Sequence, residues 1–227
     1  MMERKVRIAI IDSGIDDSIG DLRKNILLSF GVGVNQDGYI EETKALPEKN
    51  QHATAVAGII QHFNPNVEFL NIKLLDENLS ADVRVLLYAL SKVFDYKPDI
   101  IHLSLGTENK KYTRYFKKII KEAKKSQVLL VAAAGNNGEI SYPAYLKGVI
   151  GVKADRILGV NEFYFKDKFF YAPAGIDNIP ALTELVNHPN MCGNSMAAAY
   201  ITGHISKSIQ DNNLTFLSKL KEYKKLL

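Results

Sequence analysis

Short apolar runs alternate with helix-forming segments along most of this chain, and this alternation limits its fold more than any other feature. The runs Val6–Ile11 and Val128–Ala134 are apolar at nearly every position, so strands there would be buried on both faces. The segments His52–Gln61 and Ser195–Ile209 have the composition and spacing of buried helices. We therefore predict an α/β fold of three layers, in which a mostly parallel sheet is flanked by helices.

The remaining elements follow from the same patterns. Further strands are predicted at Val67–Leu75, Asp99–Leu105, Val149–Val152 and Phe163–Tyr171, and further helices after a Ser80 cap, at Tyr112–Lys125 and at Leu214–Leu227. The stretch that contains Gly31, Gly33 and Gly38 has no clear pattern. Gly31-Val32-Gly33 also lacks the further glycine of a dinucleotide-binding loop. No linker or repeat interrupts the chain, so we expect one domain over 1–227.

Composition narrows the class of protein. The 227 residues include 29 Lys and Arg against 25 Asp and Glu, a formal charge of +4, and 46% are hydrophobic, which is typical of a folded globular domain. This charge is too small and too dispersed to indicate a nucleic-acid partner. The single cysteine, Cys192, excludes an internal disulfide and favours a cytoplasmic location. Since no apolar run has the length of a signal peptide core or a membrane span, we expect no export and no membrane partner. We also expect a monomer.

Four polar residues stand where α/β folds usually carry their chemistry, after strands or at the starts of helices. Asp12 ends the first strand, Asn136 follows the run to Ala134, and His52 and Ser195 begin helices rich in small residues. Each also has an ordinary structural explanation: a turn aspartate, a surface histidine, a helix N-cap and a turn asparagine. Taken singly, the four residues leave both explanations open.

The segments around these residues resemble the motifs of the subtilase family, and they occur in the family's order. They are Ile11-Asp12-Ser13-Gly14-Ile15, His52-x-Thr54-x-Val56-Ala57-Gly58, Ser104-Leu105-Gly106, Ala133-Ala134-Gly135-Asn136 and Gly193-x-Ser195-Met196-Ala197. The order Asp, His, Ser is that of subtilisin. The resemblance extends over nearly the whole chain.

This resemblance implies a subtilisin-like fold and a serine endopeptidase without a cofactor. Ser195 would be the nucleophile, His52 the general base, and Asp12 the carboxylate that holds the imidazole in the correct tautomer. Asn136 would donate a hydrogen bond to the oxyanion. The residues that would bind the peptide or protein substrate are Ser104, Leu105, Gly106, Ala133, Ala134, Gly135 and Ser141.

Three positions depart from the family's motifs. Ala53 replaces a glycine, and its methyl group would crowd the packing beside His52. Asn194 replaces a threonine and Ala199 a proline, so that the serine helix would be straighter. None of the three removes a catalytic group, but Ala53 and Asn194 support an alternative function, that of a catalytically impaired subtilase-like binding or scaffold protein.

No metal site is expected. Subtilases often insert a calcium-binding loop into the helix that begins at the histidine motif, whereas here Ile59–Pro65 leads directly to the next strand. The chain also resembles a compact intracellular subtilase without a pro-segment. A narrower hypothesis is that it processes a defined precursor or leader peptide, and the mildly basic charge would favour acidic substrates. Cys192 is interpreted as a buried packing thiol.

Overall fold

A single sheet of nine strands organises the chain. The structure is a computed structural model that describes residues 4–44, 50–76, 78–177, 179–182, 185 and 191–213. The strands are β1 (Val6–Asp12), β2 (Ile26–Val34), β3 (Ile40–Thr43), β4 (Val67–Lys73), β5 (Ile100–Leu103), β6 (Leu129–Ala133), β7 (Ile150–Asp155), β8 (Tyr164–Lys166) and β9 (Phe169–Pro173). The helices are α1 (His52–Phe63), α2 (Val83–Lys92), α3 (Thr113–Lys125) and α4 (Asn194–Gln210).

The sheet is parallel except at its two edges. Its strand order is β3-β2-β4-β1-β5-β6-β7-β9-β8, and among the strands of the described residues only the pairs β2 with β3 and β8 with β9 are antiparallel. The predicted α/β fold with a mostly parallel sheet is confirmed. β1 lies near the middle, between β4 and β5, which places Asp12 at the centre of the sheet's carboxyl edge.

Alternate residues of each central strand supply the two halves of the hydrophobic core. In β1, Ile8 and Ile10 belong to the cluster that contains the buried faces of α1 and α4. Ala9 and Ile11 belong to the cluster on the other face, with residues of α2 and α3. Because successive side chains of a strand point to opposite faces, one apolar strand holds helices on both sides of the sheet, which gives the three layers.

Small residues let α1 and α4 pack closely. Ala197, Ala198 and Ala199 in α4 are fully buried, and a Cβ on Gly203 would lie 2.7 Å from a ring carbon of Phe63 in α1. Both helices begin at the carboxyl edge of the sheet. Their close packing therefore brings the first turns of α1 and α4 together near the end of β1.

The structure differs from the sequence-based prediction at several elements. β2 and β3 form a hairpin in the stretch for which no pattern was found, and the predicted strand Phe163–Tyr171 is two short strands joined by a tight turn. The cap of α2 is Asp82, whose side chain accepts the Arg84 N–H at 2.8 Å, and the predicted Ser80 cap is wrong. The predicted helix Leu214–Leu227 lies outside the described residues. Within the described part of the chain, no helix is long and apolar enough to span a membrane.

Candidate active site

The four candidate residues lie on different elements that meet at the carboxyl edge of the sheet. Asp12 is the last residue of β1, and His52 is the first residue of α1. Ser195 lies in the first turn of α4, and Asn136 lies in the loop after β6. The fold therefore brings together residues that are up to 183 positions apart, counted from 12 to 195.

Asp12, which is fully buried, and His52, which is partly buried, form a hydrogen-bonded pair. His52 Nδ1 lies 2.8 Å from Oδ1 of Asp12, which also accepts the backbone N–H of Ser13 at 2.6 Å. Burial alone would raise the pKa of Asp12, but the charge and hydrogen bond of His52 outweigh it, so the pKa lies below its usual value. Burial alone would lower the pKa of His52, but the Asp12 carboxylate outweighs it and the pKa is raised. The pair therefore favours an ionised carboxylate and an imidazole that accepts a proton readily.

The start of α1 is tied to the end of β1, which fixes the position of the imidazole. The backbone N–H of Ala53 donates to the Ser13 hydroxyl at 3.2 Å, and the N–H of His52 donates to Asn50 Oδ1 at 3.1 Å. Ala53 is fully buried while the pair of Asp12 and His52 is formed, so its methyl group is accommodated. The His52 side chain retains 13% exposure, so the ring is not completely enclosed.

Two positions before Ser195, the backbone adopts a conformation that favours glycine. Gly193 has φ +105°, and a Cβ there would lie 2.8 Å from Asn136 Oδ1. The Ser195 hydroxyl donates to the backbone carbonyl of Ser104 at 3.3 Å. Between the described side chains of Ser195 and His52 no hydrogen bond is formed, as is common in sites without substrate, where such contacts tighten on binding.

Asn194 connects the start of α4 to the loop after β6 and to β7. Its side-chain Nδ2 donates to the carbonyls of Ala134 at 3.1 Å and Gly135 at 2.9 Å. Its Oδ1 accepts the N–H of Ala154 in β7 at 2.7 Å. The residue that departs from the family's threonine therefore holds the helix that contains Ser195 against the sheet. α4 is continuous through Ala199, as expected for a helix without a proline.

The predicted substrate-binding residues share one open cleft. The residues that line it are Ser104, Leu105, Gly106, Thr107, Glu108, Asn109, Ala133, Ala134, Gly135, Asn136, Asn137, Ser141 and Ser195. Four of these, at 107, 108, 109 and 137, were missed by the motif comparison. Thr107 forms a two-hydrogen-bond bridge with Tyr142, each bond 2.8 Å long. This contact joins residues 35 positions apart, counted from 107 to 142, and no short sequence pattern predicts it.

A second histidine lies beneath the site. His102 in β5 is fully buried, with Nδ1 2.9 Å from the Thr202 hydroxyl and Nε2 3.0 Å from the Ser104 hydroxyl. Burial lowers its pKa to about 4, so the ring is neutral at physiological pH. A lone histidine in a strand-like segment is typical of a surface or core residue, and no motif singles out His102. Cys192 is exposed, and its interpretation as a buried thiol is wrong, because its segment pairs with Gly175 at the surface.

The connection between α1 and β4 contains no inserted loop, because α1 ends at Phe63 and β4 begins at Val67. Within the described residues, no group of three or more His, Cys, Asp or Glu side chains is placed to hold a metal ion.

Comparisons with known proteins show the family and the fold to which the chain is similar. A model described as the subtilase family matches residues 3–159, a range that includes Asp12, His52 and Asn136 and ends before Ser195. The chain is 30% identical to the major intracellular serine protease of Bacillus subtilis (strain 168), covering 96% of this chain and 73% of that protein. It is 27% identical to an intracellular serine protease of Paenibacillus polymyxa, covering 96% and 71%. The crystal structure of a lanthipeptide protease matches with a TM-score of 0.67 and 21% identity over 92% of this chain and 74% of that one, a likeness that concerns the fold.

Proposed function

The chain belongs to the subtilase family of serine proteases, and from this premise we propose that it is an endopeptidase in which Asp12, His52 and Ser195 act as a catalytic triad. The observation that carries the proposal is the 2.8 Å hydrogen bond between the buried Asp12 carboxylate and His52 Nδ1. This bond holds the proton on Nδ1 and leaves Nε2 as the base. A buried carboxylate that is hydrogen-bonded to a histidine is the arrangement that general-base catalysis requires.

The position of the Ser195 hydroxyl suggests how substrate would activate it. The Ser104 carbonyl that now accepts the Ser195 hydroxyl is also the acceptor that a substrate backbone N–H would use on pairing with this segment. A bound peptide would take that carbonyl, and the hydroxyl would turn to His52 Nε2. Ser195 Oγ would then attack the peptide carbonyl as His52 removes its proton, and His52 would return that proton to the leaving amine.

The oxyanion would be bound at the start of α4. Asn136 Oδ1 is occupied by the N–H of Asn194 at 3.0 Å, so the Nδ2 end of this amide is the end that would donate to the oxyanion. The backbone N–H of Ser195 would be a second donor, and the helix N-terminus favours negative charge. The two donors lie in the loop after β6 and in the first turn of α4, which the hydrogen bond of Asn136 to Asn194 connects.

A fluorophosphonate probe tests the proposed activity. We expect the wild-type protein to be labelled at Ser195, and labelling to be lost in Ser195→Ala. The Asp12→Asn variant should still fold, but the probe should label it much more slowly than the wild-type protein. Folded wild-type protein that is neither labelled nor proteolytic would contradict the proposal and favour the alternative of an impaired binding or scaffold protein.

The finer part of the proposal concerns substrate and location. We propose cleavage of a defined precursor or leader peptide in the cytoplasm, by a monomer. Two of the relatives are named as intracellular proteases, and the protein of similar fold is named as a lanthipeptide protease. Among the residues that line the cleft, Glu108 alone is charged, so any attraction of acidic substrates must come from outside the cleft, such as the lysine-rich α3.

A proteome-derived peptide library tests this specificity. Restricted processing predicts cleavage at a few related sequences, with folded and unfolded bulk proteins largely spared. Comparable cleavage of many unrelated unfolded proteins would instead indicate general turnover, while leaving the triad proposal untouched.

A further inference from the structure

The buried histidine beneath the site bridges the strand and the helix that carry the reacting groups. His102 lies in β5 and contacts Ser104 of the same segment through Nε2 and Thr202 of α4 through Nδ1. Ser104 in turn presents its carbonyl to Ser195. One side chain thus connects the cleft floor to the helix of the nucleophile. The proposed mechanism assigns it no role.

Ser104 also lies beside the proposed catalytic carboxylate. The parallel register pairs Ile10 with His102 and Ile11 with Leu103, so the next position on each strand sets Asp12 against Ser104. Oδ2 of Asp12 is buried and has no hydrogen-bond partner at ordinary distance within the described part of the chain. The Ser104 side chain makes a weaker interaction with the same carboxyl group. Ser104 therefore carries the hydroxyl that is placed to donate a hydrogen bond to this oxygen.

The direction of the Ser104 hydroxyl depends on which nitrogen of His102 carries the proton. If the proton is on Nδ1, the ring donates to Thr202, and Nε2 can only accept the single proton of Ser104. Oδ2 of Asp12 then has no donor. A buried carboxylate oxygen without a donor is costly, so this tautomer leaves the network incomplete.

If the proton is on Nε2, every group is satisfied. The Thr202 hydroxyl then donates to Nδ1 instead of the carbonyl of Ala198, which lies 2.9 Å away. That carbonyl loses nothing essential, because within α4 it also accepts the backbone N–H four residues later. Nε2–H donates to Ser104 Oγ, and the Ser104 proton is free to turn toward Asp12.

We propose that His102 is a positioning residue, which as the neutral Nε2–H tautomer directs the Ser104 hydroxyl to Oδ2 of Asp12. This inference rests on the proposed triad. His102 acts only through Ser104: it touches no substrate and transfers no proton. The charged or titratable groups that influence it are Asp12 and His52. Its neutral state is maintained by burial.

The tautomer can be measured without activity. In Ser195→Ala protein labelled with ¹⁵N-histidine, the signal that disappears on His102→Gln substitution identifies His102. We expect its one-bond N–H coupling at Nε2, with Nδ1 unprotonated at pH 7. A proton on Nδ1, or a doubly protonated ring, would overturn the proposal, whether or not the wild-type protein cleaves peptides.

Matched substitutions test the effect on the active enzyme. His102→Met removes both ring nitrogens at similar volume, and we expect kcat to fall about tenfold or more, the size of one hydrogen bond to a charged group. KM should stay within about twofold, because the lost interaction involves no substrate contact. The acidic limb of kcat/KM should move to higher pH, since a carboxylate that loses a donor attracts the His52 proton more strongly. His102→Gln, which retains an N–H near Nε2, should restore the wild-type limb.

A double-mutant cycle with Ser104→Ala separates a route through Ser104 from general loosening. If His102 acts through Ser104, the double variant should be no slower than the slower of the two single variants. Additive losses, or equal impairment in His102→Gln and His102→Met, would refute the proposed route. If His102→Met does not fold, the ¹⁵N measurement still decides the tautomer.

Discussion

Asn136 Oδ1 accepts the backbone N–H of Asn194 at 3.0 Å, one residue before the proposed nucleophile. This bond consumes the acceptor end of the Asn136 amide. The donor end, Nδ2, is then oriented by the same residue that begins α4. The proposed oxyanion donor and the proposed nucleophile are thus held in register by one short contact.

Replacement of Asn136 should remove transition-state binding more than substrate binding. We expect Asn136→Ala to lower kcat by about 10²–10³, the cost of losing one oxyanion donor in subtilisin, with KM little changed. Steady-state cleavage of a fluorogenic peptide measures both constants. Asn35→Ala, in the turn before β3, is the control and should cleave at the wild-type rate. A rise in KM at constant kcat would place Asn136 in ground-state binding instead.

Asn194 should be needed here although the family usually has threonine. Asn194→Thr cannot reproduce the three side-chain hydrogen bonds to Ala134, Gly135 and Ala154. Leaving these backbone groups without partners should lower the free energy of unfolding by about 1–3 kcal/mol. Urea denaturation of the inactive Ser195→Ala background measures the loss without autolysis. A variant as stable as its parent would show that the threonine hydroxyl, or water, satisfies the same groups.

Gly193 should tolerate no side chain. Gly193→Ala would combine a left-handed φ with a Cβ 2.8 Å from Asn136 Oδ1, so both stability and kcat should fall. Gly38→Ala is the matched control, because Gly38 has φ +83° and nothing within 4 Å of its Cβ. It should show the cost of backbone strain alone, about 1 kcal/mol, with normal kcat. Equal loss of activity in both variants would mean that the contact with Asn136 does not matter.

The sequence predicted the central elements well because their pattern is local. Strands such as β6 are apolar on both faces, and the helices that begin at His52 and Ser195 are dense in small residues, so burial and element type coincide. The edge hairpin of β2 and β3 was missed because edge strands are half exposed. In β3 three of four residues are exposed, which gives no apolar run.

Partners that are distant in sequence were beyond prediction. The His102 ring forms a hydrogen bond with Thr202, which is 100 positions away in the sequence. A single histidine in an apolar strand indicates only a core residue. Asn194 was noted as a departure from a motif, but its bond to β7 depends on where that strand lies. Motif order located the polar residues, whereas their hydrogen-bond geometry required the packed helices.

The pair of Asp12 and His52 should set the pH dependence of both activity and stability. Since the pKa of His52 is raised above 6.5, kcat/KM should increase with pH through an apparent pKa above that value. Asp12→Asn removes the charge that raises it, so the limb should move to lower pH, and kcat should fall about 10⁴-fold. Asp17→Asn, an exposed change in the neighbouring loop, should leave the profile unchanged. If the rise of kcat/KM with pH is the same in Asp12→Asn as in the wild-type protein, that rise does not report the titration of His52.

The same pair gives a signed prediction for stability. The stabilisation that accompanies the raised pKa of His52 is complete below pH 6.5 and is lost as pH rises through the pKa of the folded state. The stabilisation that accompanies the lowered pKa of Asp12 is present above pH 3.8 and is lost as pH falls through the pKa of the folded state. The difference in Tm between the Ser195→Ala protein and its Asp12→Asn derivative should therefore be largest between pH 3.8 and 6.5. A difference that is constant from pH 3 to 9 would contradict the coupling.

Glu108 should influence which residues are accepted near the cleaved bond. It is the one charged residue among those that line the cleft, and its Oε1 accepts the Asn137 side-chain N–H at 3.1 Å, which limits its mobility. Glu108→Lys should improve cleavage of peptides with acidic residues beside the scissile bond, and weaken cleavage of basic ones, by about threefold, because exposed charges interact weakly. Glu122→Lys, on α3, makes the same change in net charge away from the cleft and is the control. The ratio of kcat/KM for paired acidic and basic peptides, measured at low and high salt, isolates the effect: it should shift in Glu108→Lys, diminish with salt, and stay at the wild-type value in Glu122→Lys. An equal shift in both variants would assign the preference to overall charge rather than to the cleft.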